Sequence, residues 1–98
     1  MDNSNAPLTG SRVVVQASGV AAAYAGRLLG AMGAEIILVE PQGGTALRRE
    51  PPFLDAGVSA LFAYMAAGAR SFVADLANEE GRRSFSALLS GADIFIDD

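Results

Sequence analysis

The stretch from Arg12 to Glu40 limits the fold more than any other part of this 98-residue chain. Val13, Val14 and Val15 form a short β-branched run of the kind buried in a parallel sheet. About four turns of small residues follow, opening at Ser18 or Gly19 and closing near Gly33, a helix C-cap signal. Glu35-Ile36-Ile37-Leu38-Val39-Glu40 then reads as a second buried strand. This is a βαβ unit, the element that binds nucleotides in many α/β proteins. Its helix carries Gly26, Gly30 and Gly33, each costing about 1 kcal/mol relative to Ala. Close packing of the helix backbone on the sheet is the expected compensation.

The rest of the chain extends the unit. Pro41 to Pro52 is a loop by composition, longer than an ordinary βα connection. From Asp55 the apolar spacing is helical, with Val58, Leu61, Phe62 and Met65 at i, i+3, i+4 and i+7, and Gly68 closes that helix. Ser71 to Leu76 reads as a third strand. Asn78 is placed to cap a helix with Glu79 and Glu80 in its first turn, Phe85, Leu88 and Leu89 on its apolar face, and Gly91 at its end. Asp93 to Asp98 is a fourth strand. The order β-α-β-α-β-α-β predicts an α/β fold: a Rossmann-like, three-layer parallel sheet of four strands joined by right-handed crossovers. Residues 1–6 read as a disordered lead-in to one domain over 7–98. A chain stopping at a strand's carboxyl end, where ligands bind in open sheets, reads as the N-terminal part of something longer.

Absent residue types narrow the chemistry. The chain has no Cys and no His, and all seven of its cations are Arg. Disulfides, thiolate chemistry, a histidine base, Schiff bases and a P-loop lysine are therefore excluded from these residues. Any chemistry intrinsic to these residues is left to carboxylates, Tyr, Ser or backbone groups, and no metal site is expected among them. A net charge of −4 argues against nucleic-acid backbones as partners. No apolar run approaches the roughly 20 residues of a membrane span, and the polar start lacks a signal peptide's basic region, so the expected compartment is the cytoplasm.

The first βα turn, Gln16 to Tyr24, offers backbone N–H groups to an anion, with Gly19 permitting close approach. Only Gly19 of the dinucleotide fingerprint is present, yet Glu40 stands where a ribose-binding acid would, leaving a dinucleotide module open. Arg48 and Arg49 read equally as phosphate grips or as a solvated pair. Arg82 and Arg83 lie at helical spacing from Glu79 and Glu80 and read as a solvated face. Asp97 and Asp98 are adjacent on a strand, so their side chains diverge. Tyr24 and Tyr64, in apolar helices, read as core.

Four blocks of the chain resemble family III CoA-transferases (the CaiB/BaiF type, which includes formyl-CoA transferases and α-methylacyl-CoA racemases). Pro7-Leu8-Thr9-Gly10-Ser11-Arg12-Val13-Val14 is similar to the family's "PL-x-G-x-RV-[LV]" opening. Leu28 to Pro41 resembles "LL-x-x-LGA-[DE]-VIKVEP". Arg70 to Leu76 followed by Glu80-Gly81 resembles "KRS-[IV]-x-LDL…PEG", and Ala92-Asp93-Ile94-Phe95-Ile96 resembles "ADV-[LF]-[IV]". The resemblance implies the N-terminal, CoA- or acyl-CoA-binding segment of a transferase or acyl-CoA racemase. It implies CoA thioesters as substrates with no tightly bound cofactor, the remainder of the parent chain as partner, and an interlocked homodimer at full length. The family's catalytic Asp lies beyond Asp98, so this chain alone is expected to be inactive. Carried across, the ligand contacts fall at Val20, Ala21, Pro41, Ala74 and Ala77, with Arg49 matching a loop arginine, beside the Gly19 that the first βα turn itself offers. Val15 replaces a family acid, Ala21-Ala22-Ala23 replaces Ala-Gly-Pro, and Pro41 and Ala77 replace polar side chains of some members. Asp98 replaces Asn, and an acid there is expected to repel CoA phosphates. A degenerate, non-catalytic association domain of the same fold is the alternative.

Overall fold

In the computed structural model, which describes residues 5–98, four strands form one all-parallel sheet in the order β3-β2-β1-β4. The elements are β1 (Arg12–Gln16), α1 (Val20–Ala31), β2 (Glu35–Glu40), α2 (Ala60–Met65), β3 (Arg70–Val73), α3 (Glu79–Ser90) and β4 (Ile94–Asp97), with a 3-10 turn at Ala46–Arg49. The expected order and layering hold. Four of the six lead-in residues, 1–4, lie outside the described residues.

Central position explains the valine run. β1 pairs on both edges, Val14 with Ile37 and with Phe95, and Val13 to Val15 are fully buried. Alternation then sorts the core into two layers. Val13, Val15, Ile36 and Leu38 face α1 and α2, while Val14 and Val39 face α3 through Phe85, Leu88 and Leu89. The small residues of α1 have the expected cause. A Cβ on Gly26 would lie 2.9 Å from Val15 Cγ2, so only glycine lets this helix sit so low on the sheet. Gly33 ends the helix at φ +102°, where Gly33 N–H donates to Gly30 O and Ala34 N–H to Leu29 O, a Schellman closure.

Several local expectations change. The second helix does not begin near Asp55: Leu54 and Gly57 form a turn, Phe53 and Ser59 make an antiparallel bridge, and the helix starts at Ala60. The Ser59 hydroxyl oxygen accepts from Phe62 N–H, a local cap that outweighs the apolar spacing and leaves Val58 exposed. β3 is an edge strand that stops at Val73, four residues long, because the turn before Asn78 claims Asp75 and Leu76. Asn78 caps α3 as expected, its side-chain oxygen accepting from Gly81 N–H at 2.7 Å. Arg83 pairs with Glu79 one turn away, whereas Arg82 donates instead to Leu76 O. Tyr24 and Tyr64 are not core: both are about half exposed, and Arg27 lies 3.8 Å from the Tyr64 ring.

Candidate functional site

The carboxyl ends of β1, β2 and β3, with the loop after β2, enclose a cleft of about 460 Å³. Glu40 builds its loop wall. This carboxylate ends β2, is 1% exposed, and uses both oxygens twice. Oε2 accepts from Arg48 Nε at 2.6 Å and Thr45 N–H at 2.8 Å; Oε1 accepts from Arg48 Nη2 at 2.7 Å and Ser71 Oγ at 2.7 Å. Arg48 lies in turn over the Phe62 ring at 4.2 Å. The Thr45 hydroxyl donates to Ala17 O at 2.6 Å, tying the loop to the first βα turn. The Arg48 hydrogen bond, aided by those from Ser71 and Thr45, holds the Glu40 carboxyl down to about 2 against a burial that pushes it up. A bidentate fork between buried carboxylate and guanidinium is among the strongest side-chain contacts available.

This network revises two readings. Glu40 has no oxygen left for a ribose hydroxyl, and it is too buried to meet one. Of the two loop arginines, Arg48 is consumed by Glu40. Arg49 is exposed, lines the cleft, and donates to Gly43 O at 3.3 Å, leaving most of its donors for solvent or ligand.

The start of α1 holds an anion, but one from the chain itself. Asp98 Oδ1 accepts from Ser18 N–H at 2.9 Å and Gly19 N–H at 3.3 Å, and Oδ2 accepts from Ala22 N–H at 3.0 Å. Those backbone donors, Ala22 first, hold the Asp98 carboxyl below its ordinary range. An acid at this position is thus held by backbone N–H groups at a helix N-terminus, where the dipole favours it.

Of the positions expected to contact a ligand, Pro41, Arg49 and Ala74 line the cleft together. Gly19, Val20 and Ala21 sit at the α1 start and Ala77 on the β3–α3 turn, outside the lining, with Val20, Ala21 and Ala77 exposed. Sequence reading passed over Gln16 and Thr45, which also line it. The signal for Gln16 was available: a polar side chain ending a buried valine strand stands where open sheets bind ligands. Among the described residues no group of three or more acids, His or Cys could hold a metal ion, and no helix is long and apolar enough to cross a membrane.

A four-stranded parallel α/β sheet with a cleft over its carboxyl edge is the arrangement in which open sheets hold their ligands. Residues 8–98 match the model of CoA-transferase family III, and the chain belongs to that family. It is 40% identical over 104 residues to succinate–glutarate CoA-transferase of Agrobacterium fabrum, covering 99% of this chain and 26% of that protein. It is 38% identical to the succinyl-CoA:(R)-benzylsuccinate CoA-transferase subunit BbsE of Thauera aromatica, over 86% of this chain and 22% of the relative. A crystal structure of a CAIB/BAIF family protein from Brucella suis superposes with a TM-score of 0.86 at 34% identity, covering 95% of this chain and 26% of that one. The chain therefore spans about a quarter of the length of the relatives it matches.

Proposed function

We propose that these residues form the CoA-thioester-binding segment of a family III CoA-transferase and are inactive alone, the catalytic Asp belonging to the part of the family's length outside them. The observation that carries this reading is the cleft, where Pro41, Arg49 and Ala74 converge and Arg49 keeps free donors. A guanidinium with free donors suits the phosphates of CoA. Gly19, Val20, Ala21 and Ala77 flank the ligand from the neighbouring turns. Both named relatives act on dicarboxylates, which supports a dicarboxylic acyl group for the parent enzyme. The parent enzyme is read as a cytoplasmic homodimer.

Isothermal titration of the 98-residue chain with CoA and succinyl-CoA tests the reading. Saturable binding that Arg49→Ala weakens about tenfold supports it. A folded chain that binds neither at millimolar ligand removes it, and CoA transfer by the isolated chain removes the inactivity. A second reading, a non-catalytic association domain, draws on the exposed apolar line Val20, Tyr24, Leu28 and Met32 along α1. A clean monomer by sedimentation at high concentration would count against self-association.

A further inference from the structure

Arg49 is exposed and donates one long hydrogen bond, 3.3 Å to Gly43 O, so its place at the cleft is set by the residues on either side of it. On the amino side, Arg48 forks onto the buried Glu40 carboxylate at 2.6 and 2.7 Å, and Leu47 is sunk in the core beneath. On the carboxyl side, Glu50 O accepts from the Ser59 hydroxyl at 2.6 Å. Ser59 is as buried as Glu40, and its hydroxyl oxygen also caps α2 through Phe62 N–H. One brace therefore runs to the end of β2 and the other to the start of α2, with Arg49 between them.

The loop leading to Arg49 is pinned as well. Gly43 and Gly44 both take φ +90°, and Gly44 N–H donates to Pro41 O at 2.9 Å. A Cβ on Gly44 would collide with Arg48 Cδ, so Arg48 reaches Glu40 by crossing bare backbone. Thr45 fastens the middle of the loop, with its N–H on Glu40 Oε2 and its hydroxyl on Ala17 O. Arg48 is a strut rather than a second grip, since its Nε and Nη2 are spent on Glu40 and its guanidinium lies over the Phe62 ring. Glu40 and Ser59 are too buried to meet a ligand, so any effect they have on binding passes through the backbone they hold. Fixing that backbone beforehand removes part of the ordering cost of binding, the general route by which a rigid site gains affinity.

We propose that Glu40 and Ser59 are positioning residues for ligand binding: acting through Arg48 and through Glu50 O, they hold Arg49 so that its guanidinium meets a phosphate in the cleft. The assignment rests on the CoA reading above for its ligand and adds the residues that set the arginine.

The test is calorimetric titration with CoA of the 98-residue chain and of Glu40→Gln and Ser59→Ala, each alone and each combined with Arg49→Ala. The expected result is that each single substitution weakens CoA binding about fivefold and that neither weakens it further once Arg49 is replaced. A merely structural role would lower affinity by the same factor in both backgrounds. A second readout needs no ligand: the backbone order parameter of the Arg49 amide from 15N relaxation should fall from about 0.85 to below about 0.6 in each variant, while that of Val14 stays. Circular dichroism checks that each variant folds, and Thr45→Val, which frees the same loop from Ala17 O, stands in for Glu40→Gln if that chain does not. Unchanged CoA affinity in both single variants overturns the proposal, as does an equal loss with and without Arg49. A wild-type chain that binds no CoA overturns the CoA reading instead. The order parameter then decides the positioning by itself, and an Arg49 amide as rigid in both variants as in the wild type removes it.

Discussion

Glu40 and Asp98 are both acids at the carboxyl edge of the sheet, both on the α1–α2 face, and both held in the ionised form. They differ in what holds them. Glu40 is buried and takes its donors from Arg48, Ser71 and Thr45, which lie in a loop and on a neighbouring strand. Asp98 is exposed and takes only backbone N–H groups, at the start of one helix. The first arrangement fixes the shape of a cleft wall. The second fastens one turn to the sheet edge. Burial is what separates them: the Glu40 carboxylate, 1% exposed, depends on protein donors to stay charged, whereas the exposed Asp98 carboxylate can turn to water.

The sharpest way to break the comparison is at Glu40. Glu40→Ala leaves Arg48, Ser71 and Thr45 N–H without their acceptor, and is expected to lower stability by about 3 kcal/mol in urea denaturation. A loss no greater than that of Asp98→Ala would end the distinction. Acid should show the same contrast. Folding lowers the Glu40 pKa from 4.5 to about 2, so its contribution is fully present above pH 4.5 and is lost as pH falls toward 2. Discounted for the 42% exposure of the Arg48 side chain, that contribution is about 2 kcal/mol. The gap between wild type and Glu40→Gln should therefore be flat from neutral pH to 4.5 and close below it, which acid titration of urea midpoints will measure.

Smaller effects sharpen the picture. Thr45→Val keeps the side-chain shape but removes the donor to Ala17 O, and should cost about 1 kcal/mol while raising amide exchange in the first βα turn. Asp98→Ala should also cost about 1 kcal/mol, as the loss of a helix N-cap does, and Asp98→Asn less, since one oxygen still accepts. Thermal melts will rank the pair. Arg83→Ala removes an ion pair whose side chains are both 76% exposed, and should change stability by only about 0.3 kcal/mol, an effect abolished by salt.

Much of the fold was legible because its signals are local. The valine run, the Asn78 cap and Gly33 each act through neighbours within a few residues, and all three are found where the pattern puts them. The start of α2 was misread because apolar spacing continued through Val58, while the Ser59 cap and the bridge to Phe53 set the boundary. The site was less legible. Arg48 and Arg49 are neighbours of the same type, and nothing in their order says that one is spent on Glu40 and the other faces the cleft. Ser71 meets Glu40 from 31 residues away. The register pairing of Gln16 with Asp97 spans most of the chain and exists only because β4 lies beside β1.

By itself, then, the sequence determined the parallel α/β order, the family, and the chemistries closed to a chain without His, Cys or Lys. Periodicity, caps and residue identity are properties of short stretches, and they survive in one dimension. Which acid is buried, which arginine is free and which polar side chains share an edge were decided only by the tertiary structure. Those outcomes depend on strand order and on the face each residue takes, and these arise only when distant segments pair.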